Sequence, residues 1–225
     1  MTLTSLASAT DLRKTFPGRG LLGRGEAVEA LRGVTLEVAA GEVVALTGHN
    51  GSGKSTLLRI LATTLLPDGG EARVAGVDVT VEPRRAREAV GLARGDERSL
   101  YARLTLRQNL EFFATLRGLS GAAAAAAVVG ALAAVGLSEV EGRRASTLST
   151  GMSCRAVLAR ALLGDPPLLL VDEVERSIDA EGRQVLLDLV RARAEAGGAV
   201  LWATHDDTVQ GQADRRIRLE AGRAF

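Results

Sequence analysis

Residues 43–56 read VVALTGHNGSGKST. Val43 to Leu46 is a continuous apolar run, the pattern of a strand buried on both faces. The next residues fit G-x-x-x-x-G-K-[ST] as Gly48, Gly53, Lys54 and Ser55. Glycines let the backbone curl so that several N–H groups face one phosphate. A helix starting there adds the positive end of its dipole. Lys54 then supplies a point charge for terminal phosphates, and the Ser55 hydroxyl can ligate Mg²⁺. The plain alternative is a glycine-rich turn before an ordinary helix. Lys54 and Ser55, in register after a buried strand, favour the phosphate loop.

The rest of the chain sets bounds around that loop. Its 225 residues suit one sizeable domain, or one core with inserted subdomains. Aromatics are 3% against 46% hydrophobic residues, so the core is built from Leu, Val and Ala. The net charge of +1 gives no strong field for nucleic acid or an anionic membrane surface, and no nucleic-acid partner is expected. Lys14 and Lys54 are the only lysines, so Lys54 stands out in a chain that otherwise uses arginine. The single cysteine, Cys154, excludes an internal disulfide and points to a reducing compartment. MTLTSLASATDLRKTF lacks the charged start and apolar core of a signal peptide. No run approaches about 18 apolar residues, so no membrane span is expected. Ala122 to Val135, interrupted by Gly130, reads as a helix packed in protein, and its Ala122–Ala127 run as good helix former.

Residues 31 to 47 read as two short strands with a turn at Ala40-Gly41. Ser55 to Leu66 reads as a helix stopped by Pro67-Asp68-Gly69-Gly70. EARVAGVDV, 71 to 79, reads as a hairpin. Residues 105 to 135 are helical in pattern with a break at Gly118 to Gly121, and 155 to 163 form another helix. Leu168 to Val171 is a buried strand ending in Asp172-Glu173. Residues 181 to 196 are an amphipathic helix with Val185, Leu186, Leu189 and Val190 on its apolar face. Ala199 to Ala203 is a third buried strand, ending in Thr204-His205-Asp206. Gly18 to Gly25 reads as a mobile loop. Buried strands alternating with helices imply a parallel sheet covered on both faces, with ligands beyond the carboxyl ends of the strands. The clusters 48–56, 172–173 and 204–206 all fall there. Asp172 suits a Mg²⁺ shell, directly or through water, and Glu173 can polarise an attacking water. Alone, Asp172 would read as a helix cap or solvated strand end, and His205 as structural. His49, inside the loop, has no role of its own beyond loop membership.

Further motifs resemble one family. Leu148-Ser149-Thr150-Gly151-Met152 resembles the signature of ATP-binding cassette (ABC) ATPases, and Arg155 the arginine that comes after it. Ser177-Ile178-Asp179 resembles the D-loop, and Ala203-Thr204-His205-Asp206 the switch-histidine segment. Phe16 resembles the aromatic that stacks on adenine. The resemblance spans residues 10 to 220. With Leu104-Thr105 and Gln108-Asn109-Leu110, it is most like the ATPase subunits of ABC-2-type exporters.

The resemblance implies an α/β fold: a P-loop NTPase core with a mainly parallel sheet, an N-terminal antiparallel β subdomain and an inserted α-helical subdomain. Residues 1–225 would form one ABC ATPase domain, with 1–91 and 161–225 as core and 92–160 as the helical, signature-bearing part. It implies ATP and Mg²⁺ as cofactors. ATP would be held by Phe16, Gly48, His49, Asn50, Gly51, Ser52, Gly53, Lys54, Ser55 and Thr56, and the metal by Ser55 and Asp172. Glu173 and His205 would be catalytic. Ser149, Thr150, Gly151 and Met152 would act in trans on the ATP of a second ABC ATPase subunit, in a homodimer or heterodimer, with Asp179 in the D-loop. The other implied partner is a multi-span permease, gripped by the segment holding Leu100, Tyr101, Leu104, Phe112 and Phe113. The location would be cytoplasmic, peripheral on the membrane's cytoplasmic face. A soluble ABC ATPase of translation or DNA maintenance, and a catalytically weak regulatory subunit, are the competing readings. The sequence departs from the family in three places. The usual Gln is missing from Val90 to Glu97, where either Asp96 or Glu97 replaces it as an oxygen ligand or nothing does. Val174-Glu175 stands for Pro-Thr, and Met152 for Gln.

Overall fold

The computed structural model describes residues 4–18, 25–95, 100–178 and 180–225. The chain opens with two long strands, β1 (Ser5–Gly18) and β2 (Gly25–Ala39), then β3 (Val43–Thr47) and α1 (Lys54–Leu61). A hairpin comes next, β4 (Gly69–Val74) and β5 (Val77–Asp78), then α2 (Pro83–Glu88) and β6 (Val90–Arg94). Three helices succeed it: α3 (Leu106–Leu116), α4 (Gly121–Ala134) and α5 (Thr150–Leu162). The chain then alternates through β7 (Leu168–Asp172), α6 (Ala180–Glu195), β8 (Ala199–Ala203) and α7 (Asp207–Gln212). It closes with β9 (Arg215–Glu220) and β10 (Arg223–Ala224).

Two sheets result. The first is antiparallel, in the order β2-β1-β4-β5. On β2, buried Val34, Leu36 and Val38 alternate with exposed Thr35 and Glu37, as a one-sided antiparallel strand requires. The second sheet runs β10-β9-β3-β8-β7-β6, with parallel pairing throughout except at β10. All five residues of β7 and of β8 are buried. Leu168 and Leu170 pack toward the antiparallel sheet and α1, whereas Leu169 and Val171 pack among the helices. This two-sided burial is why these strands read as unbroken apolar runs.

Register places the site. Leu46 pairs with Ala203, Ala203 with Asp172, and Asp172 with Arg94, so four strands end in one row. β6 extends to Arg94, past the residue at which the helical segment was expected to begin.

Two helix boundaries differ from expectation. α1 stops at Leu61, not Leu66. Thr63 has φ +58, Thr63 N–H donates to the Ile60 carbonyl, and Thr64 N–H to that of Arg59. This is a Schellman closure with a threonine where glycine is usual, so no sequence signal marks it. α5 begins at Thr150 rather than 155, because the Ser149 hydroxyl caps it by accepting from Met152 N–H at 3.2 Å. The expected break between α3 and α4 is present, and α3 carries a full capping box between Thr105 and Gln108. The loop expected at 18–25, the proposed Gln substitutes Asp96 and Glu97, and Asp179 of the D-loop segment fall on 19–24, 96–97 and 179, outside the described residues.

Candidate active site

The loop 48–53 joins the end of β3 to the start of α1. Its shape depends on positions that exclude a side chain. A Cβ on Gly48 (φ +139) would lie 2.0 Å from the Leu219 carbonyl oxygen, and one on Gly53 (φ +109) 2.4 Å from that of Ala30. The loop is therefore pressed between β2 and β9 at its two ends, while its crest at Gly51 meets nothing within 4 Å. Among the described residues, the amides of Asn50, Gly51 and Gly53 make no hydrogen bond within the protein. Those at the start of α1 have no intrahelical acceptor by geometry. No acidic residue occupies the first turn of α1. Free donors at a helix N-terminus without a competing carboxylate suit an anion of several phosphates.

Lys54 is buried, with 4% exposure. Its Nζ donates to the Gly48 carbonyl at 2.6 Å and to that of His49 at 3.3 Å. Burial pulls its pKa below the usual lysine value, and Glu173 and Asp172 pull it back up. His49 itself is exposed, and its Nδ1 lies 2.8 Å from the Asn50 carbonyl. The Ser55 hydroxyl donates to Asp172 Oδ1 at 3.0 Å. Burial pushes the Asp172 carboxyl up, against the Ser55 hydrogen bond and the Arg94 charge. Ser55 and Asp172 form an oxygen-only pair. Among the described residues no group of three His, Cys, Asp or Glu could hold a metal. Two oxygen donors from the protein, with the remaining positions left to phosphate oxygens and water, suit Mg²⁺, which rarely takes an all-protein cage.

Glu173 has φ +52, a left-handed conformation uncommon outside glycine. It persists because Glu173 N–H donates to the Ala203 carbonyl at 3.0 Å, pinning the end of β7 to that of β8. The turn aims the carboxylate back over the phosphate loop. Its Oε1 lies 3.7 Å from Lys54 Nζ and 3.1 Å from His205 Nε2, and Oε2 pairs with Arg176 at 2.5 Å. Lys54 Nζ is also 3.0 Å from His205 Nε2. One imidazole nitrogen cannot accept from the lysine and donate to the carboxylate at once, so the His205 tautomer selects its partner. The structure thus brings Lys54, Ser55, Asp172, Glu173 and His205 together from three strand ends.

Other expected site residues lie elsewhere. Phe16 is half-buried on β1 opposite Val28 of β2, with Lys14 Nζ 5.7 Å from its ring centre. Val28 is two residues before Ala30, whose carbonyl bounds Gly53. Ser149, Thr150, Gly151 and Met152 form the cap and first turn of α5. Among the described residues no hydrogen bond or ion pair links them to 48–56. Tyr101 is 52% exposed and packs edge-on to Phe112 at 5.0 Å and against Phe113 at 6.0 Å. Buried Asn109 holds that loop, accepting from Tyr101 N–H at 2.7 Å and donating to the Tyr101 and Thr105 carbonyls.

Sequence reading misses Arg94, whose Nε lies 3.6 Å from Asp172 Oδ2, and Arg176 on Glu173. Both are ordinary surface arginines until the β6–β7 register sets Arg94, and the 3-10 turn after β7 sets Arg176, beside a carboxylate. It also assigns no role to Glu175, which is buried behind the site. The sequence flags that position only as a departure from the Pro-Thr pair.

The sequence pattern of a family described as ABC transporter matches residues 31–175. The ABC transporter ATP-binding protein NatA of Bacillus subtilis (strain 168) is 32% identical over 196 residues, covering 87% of this chain and 80% of NatA. The daunorubicin/doxorubicin resistance ATP-binding protein DrrA of Streptomyces peucetius is 38% identical over 207 residues, covering 92% of this chain but 62% of DrrA. Among solved structures, the dimeric post-hydrolysis state of the ATP-binding cassette MJ0796, bound to ADP and Pi, superposes with a TM-score of 0.85 at 26% identity. That match covers 97% of this chain and 96% of the other.

Proposed function

The chain belongs to the ABC transporter family of ATPases, and on that premise we propose that it drives an ABC-2-type exporter by hydrolysing ATP against a separate permease. The observation that carries this reading is the meeting of Lys54, Glu173 and His205 within 4 Å beside the phosphate loop. The amides of the loop 48–53 and the start of α1, with Lys54, bind the phosphates of ATP. Glu173 orients the attacking water and accepts its proton, and His205 holds the γ-phosphate side. Ser55 and Asp172 hold Mg²⁺, which neutralises phosphate charge when bound. Phe16 stacks on the adenine. The chain acts as one ABC ATPase domain, with its helical part carrying the signature.

That signature works in trans. Ser149, Thr150, Gly151 and Met152 offer a capped helix start to the ATP of a second ABC ATPase subunit, and Asp179 joins the same dimer interface. Support comes from the N-terminus of α5, an anion-binding end already capped by Ser149. ATP closes the dimer and hydrolysis opens it. Tyr101 and Phe112, exposed at the surface, anchor the permease. The subunit lies peripherally on the cytoplasmic face; among the described residues no helix is long and apolar enough to cross a membrane.

Two measurements test this. The purified chain should hydrolyse ATP in a Mg²⁺-dependent manner. Affinity purification from native membranes in mild detergent should recover a multi-span permease in stoichiometric amount. Recovery from the soluble fraction alone, with ribosomes, DNA or no partner, would replace the exporter reading with that of a soluble ATPase.

A further inference from the structure

Glu175 is 2% exposed and lies in the 3-10 turn, Val174–Ser177, that succeeds β7. Its carboxylate does not face the phosphate loop. Oε2 accepts from the Trp202 indole N–H at 2.9 Å, and Oε1 accepts a short hydrogen bond from the Thr204 hydroxyl. The same Thr204 oxygen accepts from Asp206 N–H at 3.0 Å. Asp206 caps α7 through Oδ1 and pairs with Arg183 of α6 through Oδ2 at 2.5 Å. His205 therefore sits between two residues that are both tied down.

The chemistry of these groups explains the carboxylate. The indole N–H is a donor only, and the Thr204 hydroxyl has its oxygen taken by Asp206 N–H, so its proton also needs an acceptor. Two donors converge on one dry position, and an ionised carboxylate is the side chain with two acceptor oxygens to meet them. Burial pushes Glu175 up, while the hydroxyl, its own amide and the indole pull it back. A solvated or merely space-filling residue needs none of this.

We infer that Glu175 is a positioning residue for ATP hydrolysis, fastening the loop that carries His205 to the turn that carries Glu173. Glu173 touches His205 directly, and Glu175, two residues on, holds the segment from which His205 projects. The two contacts make the ends of β7 and β8 one rigid unit. Glu175 stands in the Val174-Glu175 departure from the family's Pro-Thr pair. The inference rests on the hydrolytic reading of Glu173 and His205.

The test compares E175A, E175Q and T204V with the wild type for kcat, KM and ATP affinity. Trp202, the only tryptophan, reports the local change by its emission, and circular dichroism checks the fold. E175A should lose about tenfold or more in kcat, with KM and ATP affinity within about twofold of wild type. Its Trp202 emission should change. E175Q should recover only part of kcat, since its amide oxygen still accepts from Trp202 while the Thr204 hydroxyl proton loses its acceptor. T204V removes one hydroxyl at nearly constant shape and should also lower kcat at unchanged KM, which decides the matter if E175A fails to fold. Wild-type kcat in folded E175A or in T204V would overturn the inference. So would an equal loss of kcat and ATP affinity, the mark of general loosening. These outcomes leave the hydrolytic reading intact, because that reading fails on different results: no ATP hydrolysis by the wild type, or near-normal turnover in Glu173→Gln.

Discussion

The loop after β3 and the turns after β7 and β8 serve one site but are built differently. The first is contiguous in sequence. Its form is imposed by backbone packing, with Leu219 and Ala30 carbonyls filling the space where Gly48 and Gly53 would carry a Cβ. The second is assembled from residues about thirty apart in the chain. It is held by side chains: Glu173 on Lys54, Arg176 and His205, and Glu175 on Trp202 and Thr204. On the function proposed above, the loop that binds phosphate thus takes its shape from steric exclusion, and the turns that serve turnover take theirs from a web of polar contacts. Substitutions should separate the two.

The sharpest separation comes from Glu173→Gln. Turnover should fall by about 10²–10⁴-fold, the range of a lost general base, with ATP still bound. Single-turnover hydrolysis beside nucleotide binding reads both, and near-normal turnover would remove Glu173 from the mechanism. Next is a pair within the loop. Gly48→Ala should abolish ATP binding, since its Cβ would meet backbone. Gly51→Ala has space around it, so it should cost only the left-handed strain of about 1–2 kcal/mol. Equal effects in the two variants, by calorimetry, would refute steric exclusion as the basis of binding.

A pH experiment probes the polar half. Burial raises the folded-state pKa of Glu175 above the ordinary glutamate value of 4.5. The folded chain then holds that proton more tightly than the unfolded chain. The stability this contributes is full below the unfolded pKa and is lost as pH rises through the folded one. Glu175→Gln does not titrate, and Asp172, also raised by burial, is common to both proteins. The melting temperature of wild type relative to Glu175→Gln should therefore fall as pH rises from about 4.5 through the folded pKa. A pH-independent gap would contradict it. The smallest effect is expected at Arg94, 43% exposed and 3.6 Å from Asp172. Arg94→Ala should lower the Mg²⁺ concentration needed for half-maximal ATP binding by a few-fold, as expected from an ion pair worth at most about 1 kcal/mol. An increase instead would make Arg94 a contributor to metal binding rather than a competitor.

Legibility divides the same way. Gly48 to Thr56 and the runs Leu168–Val171 and Ala199–Ala203 are readable because their chemistry is local: a fixed spacing, or apolar side chains in sequence. The start of α5 escapes because a hydroxyl cap at Ser149 is one residue among many serines. The end of α1 escapes because Thr63 takes a conformation usually left to glycine. Arg94 and Arg176 carry no signal, since an arginine's partner is set by what lies across the sheet or turn.

The sequence by itself determined a phosphate loop after a buried strand, two further buried strands ending in acidic and histidine clusters, and the order of motifs that resembles ABC ATPases. Each of those motifs is set by residues close together in the chain, which a linear pattern can encode, and their order is read directly along it. Only the tertiary structure decided that Leu46, Ala203, Asp172 and Arg94 share one row, that His205 Nε2 stands between Lys54 and Glu173, and that Glu175 turns away from the site to hold Trp202 and Thr204. Each of these depends on strand register and on which face of a turn a side chain leaves. Both are settled by packing across the whole sheet and not by neighbours in the chain.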